Sequence, residues 1–138
     1  MKKAGLVCVL ALVIALLLAG CDGVNFTITG TGSNTKIEAH DADDGATAET
    51  GPISVGKNRL AVVESALEKG KLRIDFARAD VFPNGDGPAD VIVGDVAESV
   101  TVGPNDKVRV ALDRGDYVLQ ITAVGNTAGE VTVNIEKR

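Results

Sequence analysis

The chain has one histidine, His40, in the run His40-Asp41-Ala42-Asp43-Asp44-Gly45. A Ser-His-Asp or Cys-His site would have to use it, because such nucleophiles need an imidazole base near neutral pH. No G-x-S-x-G nucleophile elbow accompanies it. The carboxylates invite a metal instead. A zinc site needs three or four good ligands in fixed geometry, and a lone histidine beside acids reads first as a solvated loop. Calcium takes closely spaced oxygens around a glycine. Asp41, Asp43, Asp44 and Gly45 offer these, but miss the D-x-[DN]-x-[DN]-G spacing by one residue. In Phe82-Pro-Asn-Gly-Asp-Gly-Pro-Ala-Asp90, Asn84, Asp86, Gly87 and Asp90 fall at calcium-loop positions, but Phe82 holds the first ligand position. Neither run carries the bidentate Glu at the twelfth position. Both read as turns, with calcium binding as the alternative. Acids are plentiful enough for glycoside chemistry, yet nothing singles out a pair.

The other reactive residue is a thiol. Lys2 and Lys3 open the chain, Ala4 to Ala19 is wholly apolar or glycine, and no acid occurs before Asp22. That is the layout of a secretory signal peptide. Its apolar run of 16 residues is short of the roughly 20 that span a bilayer as a helix. It ends Leu18-Ala19-Gly20-Cys21. This resembles the lipobox of bacterial lipoproteins. The resemblance implies a diacylglyceryl group on the Cys21 thiol, cleavage between Gly20 and Cys21, and acylation of the new amino terminus by chains such as palmitate. One acyl chain binds a membrane only marginally, so several are needed for a stable anchor. The implied location is the extracytoplasmic face of a cell membrane. In an enteric-type diderm host, Asp22 resembles the signal for inner-membrane retention.

The N-terminal segment also settles the charge and thiol balance. The formal charge of −5 becomes −7 once Lys2 and Lys3 leave with residues 1–20. Such an acidic domain lacks the basic footprint of a general nucleic-acid binder. Cys8 leaves with the signal and Cys21 carries lipid, so no disulfide is expected and the core alone must hold the fold.

Elements follow from periodicity. Val24–Ile28 and Thr35–Ala39 alternate as strands, with an acidic loop from His40 to Gly51. Leu72, Ile74 and Phe76 alternate with charged residues, after a turn expected at Lys69-Gly70. In 59–67, Leu60, Val63 and Leu67 fit one helix face, but the neighbouring strand favours a hairpin, and strand is the expectation. Short strands are expected at Asp90–Val93, Ser99–Val102, Lys107–Asp113, Tyr117–Ala123 and Val131–Ile135. Turns are expected at Gly103–Asp106, Arg114–Asp116 and Val124–Gly129. Strands at such spacing predict an all-β fold, a single antiparallel β-sandwich occupying 52–138. Residues 21–51 would hold the anchor, a tether and early strands. The C-terminal run from Gly115 to Ile135 is similar to the end of many small bacterial lipoproteins and export-associated β-sandwiches, and the resemblance carries no catalytic residue over to this chain.

Aromatic side chains are few: Phe26, Phe76, Phe82 and Tyr117, with no Trp. Phe76 and Tyr117 fall on apolar strand faces, so a stacking platform for sugars is not expected. Lys57, Arg59, Lys69, Lys71, Arg73 and Arg78 make 57–78 basic between acidic flanks. A solvated sheet face with cross-strand charge pairs is the expectation, and a hairpin resting on anionic headgroups the alternative. The expected function is that of a lipid-anchored, non-enzymatic accessory module of the cell envelope whose partner is another envelope protein. The alternative is a small-ligand or calcium-binding lipoprotein.

Overall fold

A computed structural model describes residues 25–138 except Gly32. Cys21, Asp22 and the signal segment lie outside the described residues. The elements are β1 (Phe26–Thr31), β2 (Asn34–Ala42), β3 (Thr47–Glu49), β4 (Ile53–Val55), β5 (Arg59–Asn84), β6 (Gly87–Val102), β7 (Lys107–Leu112) and β8 (Gly115–Lys137). The fold is all-β and every pairing is antiparallel. Residues 59–67 are strand, not helix. Strands already begin at Phe26, and Ile37, Ala39 and Ala42 of β2 are buried in the core.

Two long strands organise everything else. β5 pairs with β8 from Arg59↔Lys137 to Arg78↔Tyr117. The N-terminal half of β5 also pairs with β7, and its C-terminal half with β6. The C-terminal half of β8 pairs with β2, and its N-terminal half with β3 and β4. One sheet therefore divides into two layers, β1-β2-β8-β5-β7 and β3/β4-β8-β5-β6. They close on one core containing Ile37, Val63, Val131 and Val133 from the first and Leu72, Ile74, Phe76, Leu119 and Ile121 from the second.

The corner between the layers lies where turns were expected. Lys69-Gly70 and Val124–Gly129 do not reverse the chain. Both strands run through, and the register slips between Leu67 and Lys71. Before the slip, β5 buries Ala61, Val63, Ser65 and Leu67; after it, Leu72, Ile74 and Phe76. β8 buries odd positions on both sides, from Tyr117 to Val133. Strand side chains alternate with a period of two, so the irregular register on both strands at the corner lets β5 change from odd to even positions while both halves face the core.

Local chemistry holds the bend. Gly70 has φ of 76° and Gly129 has φ of 128°. A Cβ on Gly129 would lie 2.5 Å from the Leu67 Cα. The fully buried Thr127 donates its hydroxyl proton between the carbonyls of Lys71 (3.0 Å) and Gly125 (2.9 Å). It thus ties β8 to β5 across the slipped register. Likewise, the strands expected at Asp90–Val93 and Ser99–Val102 are one strand, β6, kinked by register shifts opposite Phe76–Ala79.

Candidate functional site

The histidine and the first acidic run cluster at the corner. A shallow depression of about 510 Å³ is lined by Glu38, His40, Asp41, Glu68, Gly129 and Glu130. The side chains here serve neighbouring structure. His40 Nε2 shares a 2.8 Å hydrogen bond with the Thr27 hydroxyl. Asp41 pairs with Lys69 at 2.9 Å, and Asp44 accepts the Gly125 N–H at 2.8 Å. The Asn126 amide donates to the Asp41 and Ala42 carbonyls, both at 3.3 Å. The Asp43 carbonyl accepts the Ala46 N–H, which closes the turn. The acidic run is thus a clasp over the bend in β8. Lys69 and Asp41 are both largely exposed, so their ion pair contributes little, about 0–1 kcal/mol.

The second acidic run is remote from the first. Asn84 and Gly87 close a hairpin around Gly85 and Asp86, with Gly85 at φ 55°. Positive φ at the first central residue is what a two-residue hairpin turn with Gly there requires. Asp90 lies across from Phe82. Among the described residues, no group of three or more His, Cys, Asp or Glu side chains converges as a metal site. Of the basic residues of 57–78, Lys69, Arg73 and Arg78 pair with Asp41, Asp75 and Asp113.

The hairpin is the feature that motif reading missed. Beyond Arg78 the pairing of β5 with β8 ends, while β5 and β6 stay paired with each other to the tip. Residues 79–96 therefore form a two-stranded arm projecting from the second layer. Side chains directly opposite in an antiparallel pair share a face. One face carries Ala79 with Val93 and Val81 with Val91; the other carries Asp80 with Ile92 and Phe82 with Asp90. Nothing covers them: Phe82 is 50% exposed, Ile92 59% and Val96 47%. Val124, at the corner, is the only other large hydrophobic side chain so exposed among the described residues. The arm has no cation, since the sequence holds none between Arg78 and Lys107, while Asp80, Asp86, Asp90, Asp95 and Glu98 fall in that span.

The base of the arm is fixed by a charged and aromatic cluster. The Arg78 guanidinium lies 5.0 Å from the centroid of the Tyr117 ring. It also donates to the Arg114 carbonyl at 3.3 Å and approaches Asp113 at 3.7 Å. The Tyr117 hydroxyl donates to the Asp113 carbonyl at 2.7 Å. Burial, with the Asp113 and Glu98 carboxylates adding to it, pushes the Tyr117 phenol above its ordinary value, against the opposing pull of Arg78. A phenol raised in the folded state binds its proton more tightly there than in the unfolded chain. Its stabilising contribution is therefore complete below about pH 10 and is lost as pH rises through the folded value. Tyr117 is the only tyrosine and there is no Trp, so tyrosinate absorbance reads this group alone. It is expected to titrate later in the folded than in the urea-unfolded protein. Tyr117→Phe is expected to flatten the alkaline fall in the urea midpoint. Identical folded and unfolded titrations would refute this account.

No family model matches the chain, and no curated protein matches it. Among solved structures, it is similar to the carbohydrate-binding module CBM6cm-2 from Cellvibrio mixtus lichenase 5A, solved in complex with cellotriose. The match covers 83% of this chain and 88% of that chain, with 17% identity and a TM-score of 0.39. At that level the likeness assigns no ligand to this chain.

Proposed function

We propose that this protein is a lipid-anchored, non-enzymatic interaction module on the extracytoplasmic face of a bacterial envelope, with the arm of residues 79–96 as its binding element. The observation that carries the proposal is the arm itself. A two-stranded ribbon with exposed aliphatic faces is marginal in water, and contiguous exposed apolar surface marks interaction sites. The His40 and Asp41–Asp44 groups, by contrast, clasp the corner.

The anchor and the arm fit this reading. Cys21 precedes Phe26 by five residues, a tether of at most about 18 Å at full extension. Phe26 pairs with Ala39, Ala39 with Gly129 and Gly129 with Leu67, so the tether enters at the corner. The arm begins where β5, having left the corner, runs past the end of β8. A lipid on Cys21 holds the corner near the headgroups and leaves the arm to reach an envelope protein. In an enteric-type host, Asp22 would retain the module at the inner membrane.

The test is lipid labelling and fractionation of the full chain in bacterial cells. The parent is expected to incorporate labelled fatty acid and to sediment with membranes. Cys21→Ala is expected to lose the label completely and to persist as the uncleaved precursor. A Cys21→Ala chain processed and membrane-bound like the parent would overturn the lipid anchor.

A further inference from the structure

We propose that the uncharged face of the arm pairs with the same face on a second copy of this chain, two arms stacking across a two-fold axis. The inference rests on the lipid-anchored reading above. It starts from what that face presents. Ala79, Val81, Val91 and Val93 share one aliphatic face, and Val96, opposite Ala77, extends it toward the body of the domain. There Ala77 faces Val118 on β8. Both are buried, so the exposed stripe ends at Val96, where the arm meets the body.

A two-fold contact brings a patch against itself, so the patch must be self-complementary. A charged patch fails this condition because like charges meet. This face meets it, since its cross-strand pairs are all Ala or Val. The other face fails it, because Asp80 and Asp90 would confront their own copies beside Phe82 and Ile92. Pairing along the free edge of β6 is also opposed, by the repeated approach of Asp90, Asp95 and Glu98. The acids therefore select one mode of self-association, the stack of aliphatic faces.

Lipid is the wrong occupant for the same surface. The arm lies away from the corner where the tether enters, and its acids are repelled by anionic headgroups. Its area points to tethered copies. Five small aliphatic side chains offer on the order of 300 Å² per copy, against roughly 800 Å² per partner in a stable specific interface. Free domains at micromolar concentration would stay monomeric. Copies confined to one membrane meet at a much higher effective concentration, and the same small contact then suffices.

The test uses the lipidated chain in phosphatidylcholine vesicles, with single cysteines added at Val91 and, as control, at Ala111, an exposed position on β7. Linking is by a short bifunctional maleimide. Val91→Cys is expected to form covalent dimer at least tenfold faster than Ala111→Cys at equal surface density. Adding Val93→Asp is expected to abolish that advantage. Raising the salt is expected to preserve or increase it, because screening relieves acid repulsion and leaves apolar contact intact. Equal rates at the two positions, or a loss of linking in salt, would overturn the pairing. The parent without an added cysteine must not link, since lipid occupies its thiol; linking there would count against the anchor itself. Photo-cross-linking from Val91 in cells separates the remaining cases. Capture of a different envelope protein without homodimer overturns the second-copy inference and leaves the interaction module standing. Capture of nothing overturns both.

Discussion

Gly129→Ala is expected to destabilise the fold by about 4 kcal/mol, a large share of the 5–15 kcal/mol that holds a domain together. Two costs combine. At φ 128° the backbone is in a region that L-residues rarely adopt, worth roughly 1–3 kcal/mol. The new Cβ would also stand 2.5 Å from the Leu67 Cα and 2.8 Å from the Ala66 carbonyl oxygen and the Glu68 nitrogen. Those are backbone atoms of the paired strand, so the clash is relieved only by opening the corner. Gly125→Ala is the control. Its φ is also positive, 76°, but a Cβ there meets nothing within 4 Å. It should cost only the conformational preference, roughly 1–2 kcal/mol. Urea unfolding of both variants checks this. Equal shifts would mean that the strands separate freely at Gly129 and that the corner is not a rigid junction.

The second large effect separates two phenylalanines on one strand. Phe76→Ala should cost about 3–5 kcal/mol, because it empties a fully packed site. Phe76 is wholly buried with Ile74, Leu119 and Ile121 in the core cluster. Phe82→Ala should change stability by no more than about 0.5 kcal/mol, as for an ordinary surface position. Phe82 lies six residues on, at the same strand parity, but past the last pairing with β8 and 50% exposed. The pair of variants measures where the core ends and the arm begins. A large loss at Phe82 would show that the arm packs on something in the free protein, and the binding element would have to be sought elsewhere.

The strand faces were legible because period-two burial is a local signal. Leu72, Ile74 and Phe76, and likewise Tyr117, Leu119 and Ile121, read as inward from spacing alone, and all are buried. The corner was not legible. Gly70, Gly125 and Gly129 have positive φ, and a tight turn makes the same demand. Only the pairing of Leu67 with Gly129 and of Lys71 with Val124 shows that the chain bends without reversing. The helix alternative for 59–67 failed because β7 and β8 flank that segment on both sides, which only a strand allows. The arm was hidden for a related reason. Val91, Ile92 and Val93 form an apolar run without alternation, which from sequence describes a buried strand as well as an exposed one. Exposure depends on where β8 stops, and β8 is distant in sequence. The acidic run read as a loop from His40 to Gly51, but β2 continues through Ala42 and β3 occupies Thr47–Glu49, which leaves only a short turn between them. Its role in clasping the bend through Gly125 and Asn126 required knowing that β8 passes beneath it.

The position of β8 bears on when the protein can fold. It follows all its partners in the chain and pairs with β2, β3, β4 and β5. Without it, β5 keeps only β6 and β7, and β2 keeps only β1. Neither remnant encloses a core, and the key pairings join distant parts of the chain, a topology that folds slowly. Synthesis of the first hundred residues thus yields nothing compact. A chain built this way stays threadable until its last strand emerges. On the lipid-anchored reading proposed above, that delay would keep the chain extended while it crosses the membrane, with folding completed once β8 has followed.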